Sequence, residues 1–337
     1  QKGLVLFNQN FFQHNIIEAG AHWADCPWRT ANNINGTGFP EPVNFAGDKR
    51  IFFAEQFYDL SNTTRKALYR NYIRQCLENY RSNSGVIQFI GHEYTGPKAF
   101  VEFWLDVIGE WERETGLNAL VCLSTTKDVQ DSILAEPRYA DLVEVIDTKY
   151  WRYEAGGKLY APPGGVNLAP RQHARIKQQK ILITKGNQPS EKAAKAQQAD
   201  DIQYWTVRDY REHYPQKAVI FSSDVAYVGW PAFMAGGSVC SLPGNLPKTF
   251  LETAVRCKPV DNLDPDRFWL LAGTNECLLY VKKGNTAEID LTASKGTFKA
   301  QWIDARTGSA IGKVFKLTGG KVQSLPAQAQ TILWLYQ

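Results

Sequence analysis

The sequence predicts an α/β fold, a (β/α)8 TIM-type barrel followed by a small antiparallel β-sandwich, and three observations carry that expectation. Apolar runs alternate with segments of helical period up to about residue 257, which is the pattern of a parallel sheet. The run from Gly85 to Glu93 is apolar almost without interruption, as a strand covered on both faces must be. From about Asp261 onward, short apolar runs recur between turn clusters at roughly 8–12-residue spacing, which signals an antiparallel sandwich. A doubly wound sheet is the alternative for the first part. No Gly-x-Gly-x-x-Gly follows a strand and no Gly-x-x-x-x-Gly-Lys-Ser/Thr occurs, so nucleotide binding has no motif behind it.

Residues 3–7 read as a short buried strand, followed to about residue 60 by an irregular stretch rich in Asn, Gly, Pro and Trp. A loop of that length in a compact domain is usually functional. A helix is expected over 61–81, capped by Ser61 or Asn62, with Leu68, Tyr72, Ile73, Cys76, Leu77 and Tyr80 at helical spacing. The strand ending at Glu93 comes next, then a helix marked by Phe100, Phe103, Trp104, Val107, Ile108 and Trp111 that closes near Gly116. Further strands are expected at 118–124, 142–151, 217–222 and 239–242. Helices are expected at 127–135, within 170–213 with a break near 186–189, from Trp230 to Gly236, and over 247–257. The texture changes at the Pro259–Pro265 stretch, giving domains 1–259 and 260–337. In the second, Phe268–Leu271, Leu278–Val281, Ala287–Leu291, Phe298–Ile303 and Thr331–Tyr336 are the expected strands.

With 337 residues, 44% of them hydrophobic and 12% aromatic, the chain can fill one large core and a smaller one. The formal charge of +4 is dispersed along the chain, which gives no reason to expect nucleic acid. No apolar stretch is long enough to span a membrane. The six cysteines include no Cys-x-x-Cys pair, so neither a zinc site nor any other cofactor is expected. The chain opens on Gln1 without a signal peptide, which fits a processed or truncated start.

Glu93 ends a buried strand and precedes a Gly-Pro turn and a helix, and in a (β/α)8 barrel the chemistry sits at the carboxyl ends of the strands. It is the first candidate for a catalytic acid, flanked by His92 and Tyr94; a helix cap near Pro97 is the alternative use. Glycoside cleavage needs a second carboxyl group, and Asp224 and Asp147 each follow an apolar run, with Glu55 on the long loop ranking third. His14, Asn15, His22, Trp23, Trp28 and Arg29 share the long first loop, where they would stand over the barrel mouth. The spacing of His14, His22 and Asp25 matches no metal-ligand pattern, and hydrogen bonds to sugar hydroxyls are the better use. Trp151 and Trp230, like Trp23 and Trp28, fall in Gly/Pro-rich loops, where an aromatic face suits a sugar ring or else forms a lid over the loop core. Lys149, Arg152, Arg171, His173 and Arg175 make a basic rim suited to uronate or sulfate groups, with solvated surface charge as the alternative.

Phe57-Tyr-Asp59, Arg74-Gln-Cys-Leu77, the Glu93–Pro97 turn, Phe103-Trp-Leu-Asp106, Trp230–Gly237 and Trp302-Ile-Asp-Ala-Arg-Thr-Gly308 together resemble apiosidase-like hydrolases of Bacteroidota polysaccharide loci. More broadly, the Glu93 region resembles the fourth strand of the retaining (β/α)8 glycoside hydrolases of clan A. The resemblance implies a secreted or periplasmic enzyme acting on a complex plant, algal or host glycan, with Glu93 as acid/base and Asp224 in the nucleophile position. Two departures stand out: His92 replaces the usual Asn, and Asp224 the usual Glu. In that pattern residues 3–7 would be the third strand. The first two are then lacking from the chain, through amino-terminal truncation with the remainder on a separate segment, or are replaced by Ile51–Phe53 and Ile181–Thr184. Truncation is the favoured expectation. The competing functional reading is a non-catalytic glycan-binding protein on a decayed hydrolase barrel.

Overall fold

The computed structural model describes residues 5–8, 24, 26–41, 49–91, 94–154, 157–164, 189–222, 229–261 and 263–337. They fall into two compact units, one of residues 1–198 with 214–224, the other of 199–213 with 225–337.

In the first unit, β1 (Leu6–Asn8) is followed by α1 (Lys49–Tyr58) and α2 (Thr63–Asn79). Helix α1 lies inside the stretch expected to be irregular, and it takes up Ile51–Phe53, which are therefore helical and supply no substitute strand. Ala54, Phe57 and Tyr58 of α1 are buried. They join an aromatic cluster in which Phe57 stacks on Phe39 at 5.6 Å and meets Tyr69 at 4.9 Å. Asn62 caps α2 by accepting the Arg65 N–H at 3.0 Å, and Tyr69, Ile73, Cys76 and Leu77 form its buried stripe. Strand β2 (Val86–Phe89) is buried at all four positions. Helix α3 (Lys98–Thr115) ends at Gly116, whose φ of 69° provides the left-handed stop.

Strand β3 (Leu120–Leu123), α4 (Lys127–Leu134), α5 (Pro137–Ala140) and β4 (Val143–Asp147) follow. A small hairpin of β5 (Arg152–Tyr153) and β6 (Leu159–Tyr160) comes next, then α6 (Pro189–His213) and β7 (Ala218–Ile220). The expected strand over 142–151 is thus shorter, stopping at Asp147 before the hairpin. The main sheet runs β1-β2-β3-β4-β7, every neighbouring pair parallel. Phe7, Ile87, Phe89, Leu120, Cys122, Val145, Ala218 and Ile220 pack into a cluster drawn only from its strands.

In the second unit, residues 199–213 of α6 share a core with α7 (Trp230–Met234), α8 (Lys248–Arg256) and an antiparallel assembly. Tyr204 stacks on Trp269 at 4.8 Å, and its hydroxyl and the Arg208 guanidinium both donate to Asp261. Gly229 enters α7 with a φ of 77°, and a Cβ there would fall 1.8 Å from the Ser241 carbonyl oxygen. The expected strand at 239–242 is absent because Val239 takes a φ of 56°, which turns the chain out of an extended course.

The strands are β8 (Lys258–Val260), β9 (Phe268–Ala272), β10 (Cys277–Val281), β11 (Thr286–Asp290), β12 (Thr297–Asp304), β13 (Ala310–Thr318), β14 (Val322–Pro326) and β15 (Thr331–Tyr336). They form a six-stranded sheet, β13-β12-β15-β10-β9-β8, and a two-stranded sheet, β11-β14. Ala287 and Ile289 alternate inward along β11 and meet Leu270, Leu279, Phe298 and Leu335 of the larger sheet in one core. All six cysteines are free thiols. Burial pushes those of Cys257 and Cys277 up to about 12.

Candidate functional site

Side chains two residues apart on a strand share a face, so Asp147 extends the face of Val145, Ser124 that of Cys122 and Ser222 that of Ile220. The three form the next layer beyond the strand-only cluster, at the carboxyl ends of β3, β4 and β7. Asp147 is fully buried. Ser124 Oγ donates to its Oδ2 at 2.6 Å, and Ser222 Oγ lies 2.7 Å from both carboxylate oxygens. A buried carboxylate is costly unless hydroxyls or amides take the place of water, and these two serines do so. Removing the Ser222 hydroxyl deletes a hydrogen bond to a charged group, so Ser222→Ala is expected to cost about 1.5–3 kcal/mol in urea unfolding; an unchanged midpoint would show that the bond contributes nothing.

A second set of bonds fixes the backbone around this layer. Gln130 of α4 donates to the carbonyls of Leu123 and Asp147 at 2.6 and 3.0 Å and accepts the Trp151 indole N–H at 3.0 Å. Lys149, largely buried, donates to the Ser222 carbonyl at 2.9 Å. Thr148 N–H reaches the Ile220 carbonyl at 3.1 Å. The Lys127 ammonium stands 4.4 Å over the Trp151 ring and pairs with Asp131. Asp128, at the start of α4, tends upward through burial, but the nearby Thr126 hydroxyl and hydrogen bonds from the Gly164 and Val129 amides hold its carboxyl below the usual range.

The predicted site residues divide sharply. His14, Asn15, His22, Trp23, His92, Glu93, Arg171, His173 and Asp224 lie outside the described residues. Gly91 and Tyr94, on either side of the His92-Glu93 pair, are both buried. Tyr94 is not a surface for a sugar: its amide donates to the Ser124 carbonyl at 3.2 Å, its hydroxyl to that of Pro97 at 2.8 Å, and Tyr58 meets its ring edge-on at 5.3 Å. Trp28, half-buried, packs edge-on against Tyr69, Tyr72 and Phe57 at 5.0–5.7 Å, so packing replaces the ligand contact expected of it. Arg29 pairs with Glu41 at 2.8 Å.

Glu55 sits on the exposed side of α1, opposite Ala54 and Phe57, and is not part of a loop. Trp151 is fully buried and serves the Gln130 and Lys127 contacts. Trp230 belongs to the second unit's core, 2% exposed, with its indole N–H given to the Ala305 carbonyl at 2.6 Å. These tryptophans are interior residues, and the sugar-facing role expected of them is corrected accordingly. Of the carboxyl candidates, Asp147 is the one the described residues place at the strand ends. Sequence reasoning missed Ser124, Ser222 and Gln130. The available signal was a Ser just past an apolar strand run, the same register that marked Asp147.

The family model for DUF6298, a domain of unknown function, matches residues 1–257. The chain belongs to that family. No curated protein matches it by sequence. Among solved structures it is similar to a family 5 glycoside hydrolase from Bacteroides vulgatus, at 14% identity over 81% of this chain and 67% of that one, with a TM-score of 0.49. A chain described as a glycoside hydrolase matches at 12% identity over 99% and 93%, with a TM-score of 0.49. A family 30 subfamily 8 xylanase from Clostridium acetobutylicum matches at 11% over 81% and 72%, with a TM-score of 0.42.

Proposed function

We propose that this chain is a glycoside hydrolase that cleaves a complex oligo- or polysaccharide by two-carboxyl chemistry on a (β/α) barrel, and that it acts outside the cell or in the periplasm. One observation carries the reading: a buried carboxylate, Asp147, is gripped by Ser124 and Ser222 at the carboxyl ends of three adjacent parallel strands. That is the end of such a sheet where catalytic groups collect. The strand-only cluster beneath it is what a barrel interior contains.

Glu93 is assigned the general acid, since it follows β2 in sequence just as Asp147 ends β4. Asp224, two residues beyond Ser222, is assigned the second carboxyl group. Asp147 itself is sealed by the serine hydroxyls and fully buried, so in this reading it holds the strand ends in place and leaves the bond-breaking to the other two. A retaining outcome requires Glu93 and Asp224 to stand about 5–5.5 Å apart. The test is release of reducing ends from a panel of plant, algal and host oligosaccharides, with the product anomer followed by NMR. Saturable binding without any release across the panel would replace the enzyme with a glycan-binding protein.

A further inference from the structure

The hairpin after β4 is pinned at both stems and presents groups that the chemistry above does not use. Trp151, just before β5, is tied to α4 through Gln130. Gly164, after β6, gives its amide to both Asp128 oxygens at 2.8 and 3.0 Å. The approach there is so close that a Cβ on Gly164 would lie 2.0 Å from Thr126 Oγ1. Between these anchors Arg152 pairs with Tyr160 and Tyr153 with Leu159 across the ladder, and the Glu154 amide donates to the Lys158 carbonyl at 2.7 Å.

A hairpin of this kind has little core of its own, yet it holds apolar side chains in water: Leu159 is 40% and Tyr160 38% exposed. The Arg152 guanidinium lies 4.6 Å over the Tyr160 ring. The cation–π contact restrains the guanidinium beside the ring and leaves its N–H groups able to meet an anion. Among the described residues, Glu154 forms an ion pair with this guanidinium at 3.8 Å, longer than a hydrogen bond and so open to exchange for a substrate anion.

We propose that this hairpin is the recognition point for an anionic sugar unit of the substrate, with Arg152 forking onto its carboxylate or sulfate ester and Tyr160 and Leu159 receiving the apolar face of the ring. The proposal rests on the glycoside hydrolase reading for its location, but it is tested by binding. Planar two-oxygen acceptors match a guanidinium in a way that a neutral hydroxymethyl group cannot, and a stacked arginine loses less side-chain freedom on binding than an unrestrained lysine.

The experiment is calorimetric titration of the Glu93→Gln protein, so that binding is read without cleavage, with trigalacturonate, its methyl ester, a κ-carrageenan tetrasaccharide, which carries sulfate ester and no uronate, and cellotriose. At least one anionic probe is expected to bind ten-fold or more tightly than both neutral ones, and which of the two does so separates uronate from sulfate ester. Arg152→Ala is expected to erase the preference, Arg152→Lys to lose most of it while keeping the charge, and Tyr160→Ala to weaken every probe that binds. Equal binding of acidic and neutral probes, binding of none of them, or an unaltered preference in the Arg152 variants overturns the proposal. Failure of the hydrolase reading would show separately, as the absence of released reducing ends from the unmutated protein.

Discussion

Glu93→Gln is expected to lower kcat on natural oligosaccharides by about 10²–10⁴-fold, the usual worth of a positioned general acid, while leaving their binding measurable. The amide keeps the size and hydrogen-bonding reach of the carboxyl group but cannot deliver a proton to the departing glycosidic oxygen. The loss should therefore depend on the leaving group. Aryl glycosides with acidic phenols need little protonation and should retain most of their kcat/KM, whereas an alkyl or sugar leaving group should show the full deficit; on a retaining path the missing base still slows hydrolysis of the glycosyl-enzyme and lowers kcat for both. Asp224→Asn should instead lower kcat/KM for both classes, because the second carboxyl group acts at the anomeric carbon whatever departs. Turnover by the Gln variant equal to that of the unmutated protein, on a sugar leaving group, removes Glu93 from the mechanism.

The strand ends were legible in the sequence because burial on two faces leaves long apolar runs, and a carboxylate that interrupts one is conspicuous. Asp147 emerged in this way. Ser124 and Ser222, which make its burial tolerable, did not, because a single serine past a strand is also the commonest kind of turn residue. The aromatic side chains failed as indicators for a different reason. Composition places Trp28, Trp151 and Trp230 near glycine and proline, but only tertiary structure decides which way each ring points, and all three turn inward. Local pattern also misread Val239–Leu242 and Ile51–Phe53. The first is apolar and β-branched at its start yet bends at a positive φ, and the second is a strand-like triplet inside α1, where the neighbouring Ala54, Phe57 and Tyr58 set a helical stripe. The hairpin carrying Arg152 and Tyr160 was visible only as scattered basic residues, since the ring beneath the guanidinium comes from the opposite strand.

Glu144→Gln is expected to stabilise the protein at pH 8 and to have almost no effect at pH 4.5. The β3–β4 pairing slips between Val121 and Cys122, so that β4 carries Glu144 as one extra residue. Its carboxylate accepts the Val121 N–H at 2.9 Å. Burial is the main influence on this group and raises it to about 7; the nearby Glu112 charge also raises it, while the Val121 amide and Lys217 act the other way. Because the folded-state value lies above the ordinary 4.5, the fold favours the protonated acid. The resulting stability is fully present below about pH 4.5 and is lost as pH rises through about 7. A shift of that size corresponds to about 3 kcal/mol, reduced by solvent screening of a partly buried group to about 1–2 kcal/mol. Glutamine keeps an acceptor for Val121 without a charge to desolvate, so it escapes the penalty on the alkaline side. Lys217 is itself lowered by burial, with Glu144 opposing that shift, and its ammonium keeps the Ala140 and Val143 carbonyls at 2.6 Å in the variant. Urea midpoints of the two proteins should coincide below about pH 4.5, separate as pH rises from there to about 7, and stay apart by a constant amount above it. A constant gap between about pH 4.5 and about pH 7 would mean that the bulge carboxylate does not titrate within that range.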